Sequence, residues 1–339
     1  MHNQNDKILN ISDLEIGYFQ KNQKKSIFKN ISLSARKGEL IALIGRNGVG
    51  KSTLLKSIAR INNFINGKIL IHGKPIHEYN LKDWAKKLSF VSTEPVNITN
   101  LTVKELVTLG RHPYTNWMFS LTNEDHEVID KSISIIKINH ISSKNIDEIS
   151  DGERQRALIA RTLAQNTDII ILDEPTAYLD LPNKFEIIHL LRELSKNENK
   201  TIIFSSHDLN IAITEADKIW LMDEKNIFEG APEDLVINGT FERLFDNSEV
   251  NFNKSSGEVK LMHKSTGEVF LSGSGIEYIW TQRSLERLSI VVSIDKTLPI
   301  KVRIVNVNNI INWELELYDE KFVFNSIYEL NLHLKQINT

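Results

Sequence analysis

The sequence predicts an α/β domain, built on a parallel sheet and interrupted by a helical subdomain, followed by a small α+β domain. Apolar runs of strand length recur between amphipathic stretches from Ile8 to about Asp246, the texture of strands buried on both faces of a parallel sheet. Residues 102–165 instead carry helix signals, and beyond Ser248 the text turns polar before resuming in short alternating stretches. At 339 residues the chain is long enough for two domains. The boundary falls between 1–247 and 248–339, with the helical subdomain at about 95–165.

The runs at 40–44, 88–91, 169–172 and 202–204 are apolar apart from Ser89 and read as central strands. Thr102 and Glu105 make a capping-box pattern, Gly110 reads as a helix stop, and Pro113 follows it. Asn247, Asn251, Asn253, Ser255 and Ser256 suit a linker. Gly-Glu-Val occurs at 257–259 and again at 267–269, which suggests two adjacent strands. A helix over 276–288, strands at 302–305, 313–317 and 322–324, and a last helix capped by Ser326 and Glu329 complete the second domain.

Composition excludes several classes. Lys and Arg total 41 against 44 Asp and Glu, so no global basic field draws the chain to nucleic acid or anionic lipid. The absence of cysteine rules out disulfides, thiolate zinc sites and cysteine catalysis. Residues 1–10 contain no signal-peptide core, and no apolar run reaches the roughly 18 residues of a membrane span. The expectation is a protein that works inside the cell.

Gly45-Arg46-Asn47-Gly48-Val49-Gly50-Lys51-Ser52 matches G-x-x-x-x-G-K-[ST] between an apolar strand and a helix led by Thr53. In such a loop the glycines let main-chain amides turn onto phosphate oxygens, and the helix N-terminus adds positive potential. Lys51 is placed to reach the β and γ phosphates, and Ser52 to ligate Mg²⁺. Asp173 and Glu174 follow the run 169–172, which puts two carboxylates at the carboxyl end of a strand, where open α/β sheets bind ligands. Asp173 is the candidate for holding Mg²⁺ and Glu174 for activating water. His207 ends another such strand and is a candidate γ-phosphate contact.

Ile149-Ser150-Asp151-Gly152-Glu153-Arg154-Gln155, 23 residues before Asp173, resembles the Leu-Ser-Gly-Gly-Gln signature of ABC transporter ATPases. The resemblance covers about the first 240 residues and implies a P-loop NTPase, RecA-like core with an inserted helical subdomain, using ATP and Mg²⁺. It further implies a head-to-tail ATP sandwich dimer, in which Ser150, Gly152 and Glu153 of one copy cover the ATP on the phosphate loop of a second. Ser150 and Glu153 also form a capping box, and the two roles are compatible. Tyr18 resembles the aromatic that stacks on adenine, and Asp180 the aspartate of the family's D-loop. One departure stands out: where the family has a glutamine after the strand at 88–91, this chain reads Ser92-Thr93-Glu94. Thr93 occupies the expected site, and Glu94 is a hard oxygen donor that can substitute as a Mg²⁺ ligand.

The stretch 101–114 resembles importer ATPases that serve iron-siderophore, haem and cobalamin uptake, in which this region docks on a membrane permease. The implied partners are permease subunits and, indirectly, a substrate-binding protein, with the chain peripheral on the cytoplasmic face of the membrane. A soluble ABC ATPase acting on nucleic acid or ribosomes is the contrasting class. It is disfavoured by the single phosphate loop and the lack of sustained heptads, and an exporter ATPase is the third reading. The C-terminal part, with ten basic and ten acidic residues from Asn251 onward and no metal cluster or nucleophile, reads as regulatory or dimer-supporting.

Overall fold

The computed structural model describes residues 7–20, 23–92, 100–246, 250–255, 257–261, 265–307, 310–318 and 320–337. The chain divides into two compact units, Met1–Ser248 with Phe252–Val259, and Glu249–Asn251 with Lys260–Thr339.

The first unit opens with β1 (Lys7–Gln20), β2 (Gln23–Arg36), β3 (Leu40–Gly45), α1 (Lys51–Ile58), β4 (Asn66–Ile71), β5 (Lys74–Pro75), α2 (Leu81–Trp84) and β6 (Leu88–Val91). The helical segment follows as α3 (Val103–Thr108), α4 (Asn123–Ile135) and α5 (Asp151–Ala164). The unit continues through β7 (Ile169–Leu172), α6 (Leu181–Asn197), β8 (Thr201–Ser206), α7 (Leu209–Glu215), β9 (Lys218–Met222), β10 (Ile227–Gly230) and α8 (Pro232–Ile237). A six-stranded sheet runs in the order β10-β9-β3-β8-β7-β6, all of its pairs parallel except β10 with β9.

The uninterrupted apolar runs are explained by a sheet covered on both sides. Leu40, Ala42 and Ile44 enter one core together with Ile170, Leu172, Ile202 and Phe204 and the helices, while Ile41, Leu43, Ile169, Ile171 and Ile203 enter the other. That second core is closed by α1 and by an antiparallel sheet, β2-β1-β4-β5, which the sequence did not announce.

The capping box of Thr102 and Glu105 is present at α3. Gly110 does not stop that helix through a left-handed turn; the chain tightens into a 3-10 turn over Leu109–Tyr114 with Pro113 inside it. Glycine is required there because a Cβ would lie 2.3 Å from the Arg161 carbonyl oxygen of α5. Arg111 is buried, 2.7 Å from Asp125, and also donates to the Ala164 carbonyl, so it braces the helical segment internally.

β11 (Val250–Asn253) pairs with β12 (Glu258–Leu261). The second unit then holds β13 (Gly267–Ser272), α9 (Gly275–Arg287), β14 (Ile290–Ser293), β15 (Ile300–Val307), β16 (Ile310–Leu317), β17 (Glu320–Phe324) and α10 (Ile327–Ile337). Its sheet order is β14-β13-β15-β16-β17, with Leu285, Leu330 and Leu334 of the helices packed on Val269, Leu271, Val302, Trp313 and Leu315. The two Gly-Glu-Val segments are therefore not paired with each other. The second lies in the middle of a parallel β13/β14 and β13/β15 arrangement, because α9 supplies the crossover that parallel strands need. The polar stretch expected as a linker also contains Phe252, which is buried in the core of the first unit.

Candidate active site

Strand β3 turns into α1 through the phosphate loop. Gly48 and Gly50 take left-handed φ values of 80° and 117°, and at Gly50 a side chain would also press on Ile27 at 3.2 Å. Leu54 N–H donates to the Gly50 carbonyl at 2.9 Å, closing the first turn and leaving the earlier amides of the helix end for another acceptor. Asn47, Gly48, Gly50, Lys51, Ser52 and Thr53 line a cavity of about 360 Å³ together with Tyr18, Lys25, Ile27 and Glu174. That volume lies at the lower end of small-ligand sites. Lys51 is buried, and its ammonium donates to the carbonyls of Gly45 at 2.8 Å and Arg46 at 3.2 Å. Burial lowers its pKa below the ordinary lysine value, against the opposing pull of Glu174 and then Asp173.

The carboxylates stand two strands away from the phosphate loop, with β8 between. Asp173 is buried and Glu174 half-buried, with Glu174 at a left-handed φ of 48°. Ser205 of β8 donates to Asp173 Oδ1 at 2.7 Å and accepts from the Glu174 N–H at 2.8 Å. Tyr18 hydroxyl lies 3.3 Å from Thr53 Oγ1, which ties the half-exposed ring to the start of α1. His207 is exposed where β8 ends, and Asp208 caps α7 by accepting from Ile211 N–H.

Ser150 caps α5 in a reciprocal box with Glu153. Its hydroxyl accepts from Glu153 N–H at 3.3 Å, while Glu153 Oε2 accepts from Ser150 N–H at 2.9 Å. Glu153 Oε2 also accepts from the Ser150 hydroxyl at 2.9 Å, and the bonds to this carboxylate, first from the Ser150 main chain and then from its hydroxyl, hold the Glu153 pKa below the usual carboxylate value. A Cβ on Gly152 would lie 3.2 Å from Asn183 Oδ1 of α6, the helix that Asp180 caps by accepting from Asn183 N–H. Thus Tyr18, Asn47, Gly48, Gly50, Lys51, Ser52, Thr53 and Glu174 meet at one cavity, and Gly45 and Asp173 adjoin it through Lys51 and Ser205. Ser150, Gly152, Glu153, Asp180 and His207 lie outside that lining. Thr93 and Glu94 fall outside the described residues.

The sequence pattern of the family described as "ABC transporter" matches residues 28–177. The chain is 40% identical over 220 residues to the "Probable siderophore transport system ATP-binding protein YusV" of Bacillus subtilis, covering 65% of this chain and 80% of that one. The chain belongs to the ATP-binding subunits of ABC transporters. As an ABC ATPase it binds and hydrolyses ATP. It is also 34% identical over 233 residues to the ferric enterobactin transport ATP-binding protein FepC of Escherichia coli, covering 68% of this chain and 84% of that one. To the iron(3+)-hydroxamate import ATP-binding protein FhuC of Bacillus subtilis it is 39% identical over 204 residues, covering 60% and 74%.

Among solved structures, cbiO1 of Clostridium perfringens, part of the ABC transporter complex cbiONQ, superposes with a TM-score of 0.61 at 29% identity, covering 70% of this chain and 94% of that one. The dimeric structure of MJ0796, a bacterial ABC transporter cassette, gives a TM-score of 0.58 at 25% identity, covering 66% and 98%. Residues 266–335 of this ABC ATPase match a second pattern, described as "Iron ABC transporter C-terminal domain".

Three features of the ABC ATPase site escaped the sequence. Ser205 follows the apolar run 202–204 beside Ser206, and only the structure shows that it is this hydroxyl, buried in β8, that bonds Asp173 across the sheet. Lys25 and Ile27 reach the cavity only because β2 pairs with β1, Tyr18 opposite Lys25. The Arg46 side chain turns away from the cavity, its Nε donating to the Leu244 carbonyl at 2.9 Å.

Proposed function

We propose that this ABC ATPase powers the import of an iron-siderophore complex through a membrane permease. The observation that carries the substrate class is the match of residues 266–335 to an iron transporter C-terminal domain. Relatives named for siderophore, ferric enterobactin and iron(3+)-hydroxamate transport support it. Among the described residues no helix is long and apolar enough to cross a membrane, so attachment to the cytoplasmic face of the membrane would come through the permease.

The residues divide the work by chemistry. Lys51 and the loop amides hold the β and γ phosphates, and Tyr18 stacks on the base. Among the described residues no cluster of three or more His, Asp or Glu could hold a metal by itself. That fits Mg²⁺, which takes few protein ligands and completes its shell with phosphate oxygens and water. Ser52 and Asp173, both hard oxygen donors, would hold it, and when bound it neutralises charge developing on the phosphates. Glu174 orients and polarises the attacking water, and His207 contacts the γ phosphate. Thr93 or Glu94 takes the place of the family's usual glutamine. Since Ser150, Gly152 and Glu153 lie outside the lining of their own chain's cavity, they serve the ATP of a second copy across a head-to-tail dimer, beside the D-loop residue Asp180. The dimeric MJ0796 cassette supports that assembly. A substrate-binding protein would deliver the iron complex to the permease.

The test pairs chemistry with transport. Glu174→Gln is expected to bind ATP with near-parent affinity and to lose hydrolysis, because the base acts on water only in the transition state. Hydrolysis at the parent rate would assign the base elsewhere. Uptake by the assembled transporter, measured with a ferric siderophore, haem and cobalamin in turn, is expected only for the first.

A further inference from the structure

Resting on the assignment of Asp173 and Glu174 above, we infer that Ser205 is a positioning residue that locks these two carboxylate residues into one catalytic unit. Ser205 is fully buried in β8, between the strand that leads into the phosphate loop and the strand that Asp173 follows. A serine hydroxyl has one proton and two acceptor sites. The Glu174 N–H can only donate, so it occupies an acceptor site of Ser205 at 2.8 Å, and the hydroxyl proton goes to Asp173 Oδ1 at 2.7 Å. The same oxygen thus fixes the orientation of the Asp173 carboxylate and the main chain of Glu174.

The main-chain bond matters because Glu174 holds a φ of 48°, a left-handed conformation that a residue with a Cβ adopts at a cost. Two bonds hold the turn: Ser205 accepts the Glu174 N–H, and the Glu174 carbonyl accepts from Ala177 N–H at 3.0 Å. That conformation is the one in which Glu174 joins Lys51 and Ser52 in lining the cavity. Without the hydroxyl, the Glu174 amide loses a partner and the turn can relax toward ordinary φ values, taking the base out of line.

A second buried hydroxyl pair in the same sheet supplies the contrast. Thr167 donates to Ser89 Oγ at 3.0 Å where β6 and β7 begin, at the opposite end of β7 from Asp173. If buried hydroxyls served only to hold strands together, Ser89→Ala and Ser205→Ala would behave alike.

The experiment compares Ser205→Ala, Ser205→Thr, Ser89→Ala and Glu174→Gln in the full-length chain. Steady-state ATP hydrolysis is measured alongside the affinity for trinitrophenyl-ATP, with and without Mg²⁺. Ser205→Ala is expected to lower kcat between about tenfold and a hundredfold, with KM and metal-free nucleotide affinity near parent values. The gain in affinity on adding Mg²⁺ should shrink, because the Asp173 carboxylate is no longer oriented. Ser205→Thr keeps the hydroxyl and should recover most of kcat. If its added methyl unfolds the chain, Ser205→Cys, close in volume and a weak donor, replaces it and should recover part. Ser89→Ala should lower the melting temperature and leave kcat unchanged. Parent-like kcat in Ser205→Ala, or equal loss in Ser205→Ala and Ser89→Ala, overturns the inference. Should Glu174→Gln hydrolyse ATP at the parent rate, the underlying assignment fails; should it be inactive while Ser205→Ala is not, only the role of Ser205 fails.

Discussion

The ring of Phe252 stacks on that of Phe241, with centroids 5.4 Å apart and planes inclined by 22°. Phe245 also stacks on Phe252, with ring centroids 6.4 Å apart and planes inclined by 4°. Phe241 is fully buried and Phe252 almost so, within the helix-side core of the first unit. Phe252 thus anchors to the ATPase unit a stretch whose composition suits a linker.

A fragment ending at Val259 keeps this stack, whereas one ending at Asn247 loses it. Removing a buried phenylalanine costs about 3–5 kcal/mol. The shorter fragment is expected to melt well below the longer one, and Phe252→Ala in the full-length chain should show a comparable loss by thermal denaturation. Equal melting temperatures for the two fragments would mean that the stack contributes little. Since the cavity lining lies before Asp180, the fragment ending at Val259 should still bind ATP.

Ser150 should act across the dimer. In a mixture of Ser150→Arg and Lys51→Ala subunits, heterodimers contain one composite site with both its phosphate loop and its opposing signature intact. ATPase activity is expected to return in part relative to either variant alone. A Ser150→Arg homodimer with full activity would show that Ser150 has no such role.

Lys51 should trade stability for nucleotide binding. Its folded pKa lies below the ordinary lysine value of 10.5, so between the two the unfolded chain binds more protons and stability rises with pH. Relative to Lys51→Met, the nucleotide-free parent should gain stability as pH climbs toward that value, read as urea midpoints of both proteins at neutral and alkaline pH. The same substitution should abolish most nucleotide affinity, because it removes the charge that meets the phosphates.

The buried pair of Arg111 and Asp125 should hold the helical segment together. Removing one partner of such a pair costs about 3–5 kcal/mol, so Arg111→Ala is expected to lower the melting temperature markedly. Burial raises the pKa of Asp125, but hydrogen bonds from Thr122 and Arg111 outweigh it and leave the pKa below the ordinary value of 3.8. A lowered carboxylate pKa gives stability that is present above the unfolded value and lost as pH falls through the folded one. The stability difference between the parent and Asp125→Asn should therefore shrink only in strongly acidic solution.

The ATPase family was legible in the residues alone, because its motifs are local. Gly45 through Ser52 make the loop between β3 and α1 from consecutive residues, Asp173 and Glu174 follow directly on their strand, and Ser150 caps α5 within one helical turn. Whatever depends on strand order came from the three-dimensional packing instead. Two Gly-Glu-Val segments with the same alternation went to different sheets, since alternation tells which way side chains face but not which strand lies alongside. Phe252 joined a core that its polar neighbours gave no sign of. Ser205 became the partner of Asp173 across 32 residues of chain because β8 lies between β3 and β7, an order set by the burial of both sheet faces and by helical crossovers rather than by any local pattern.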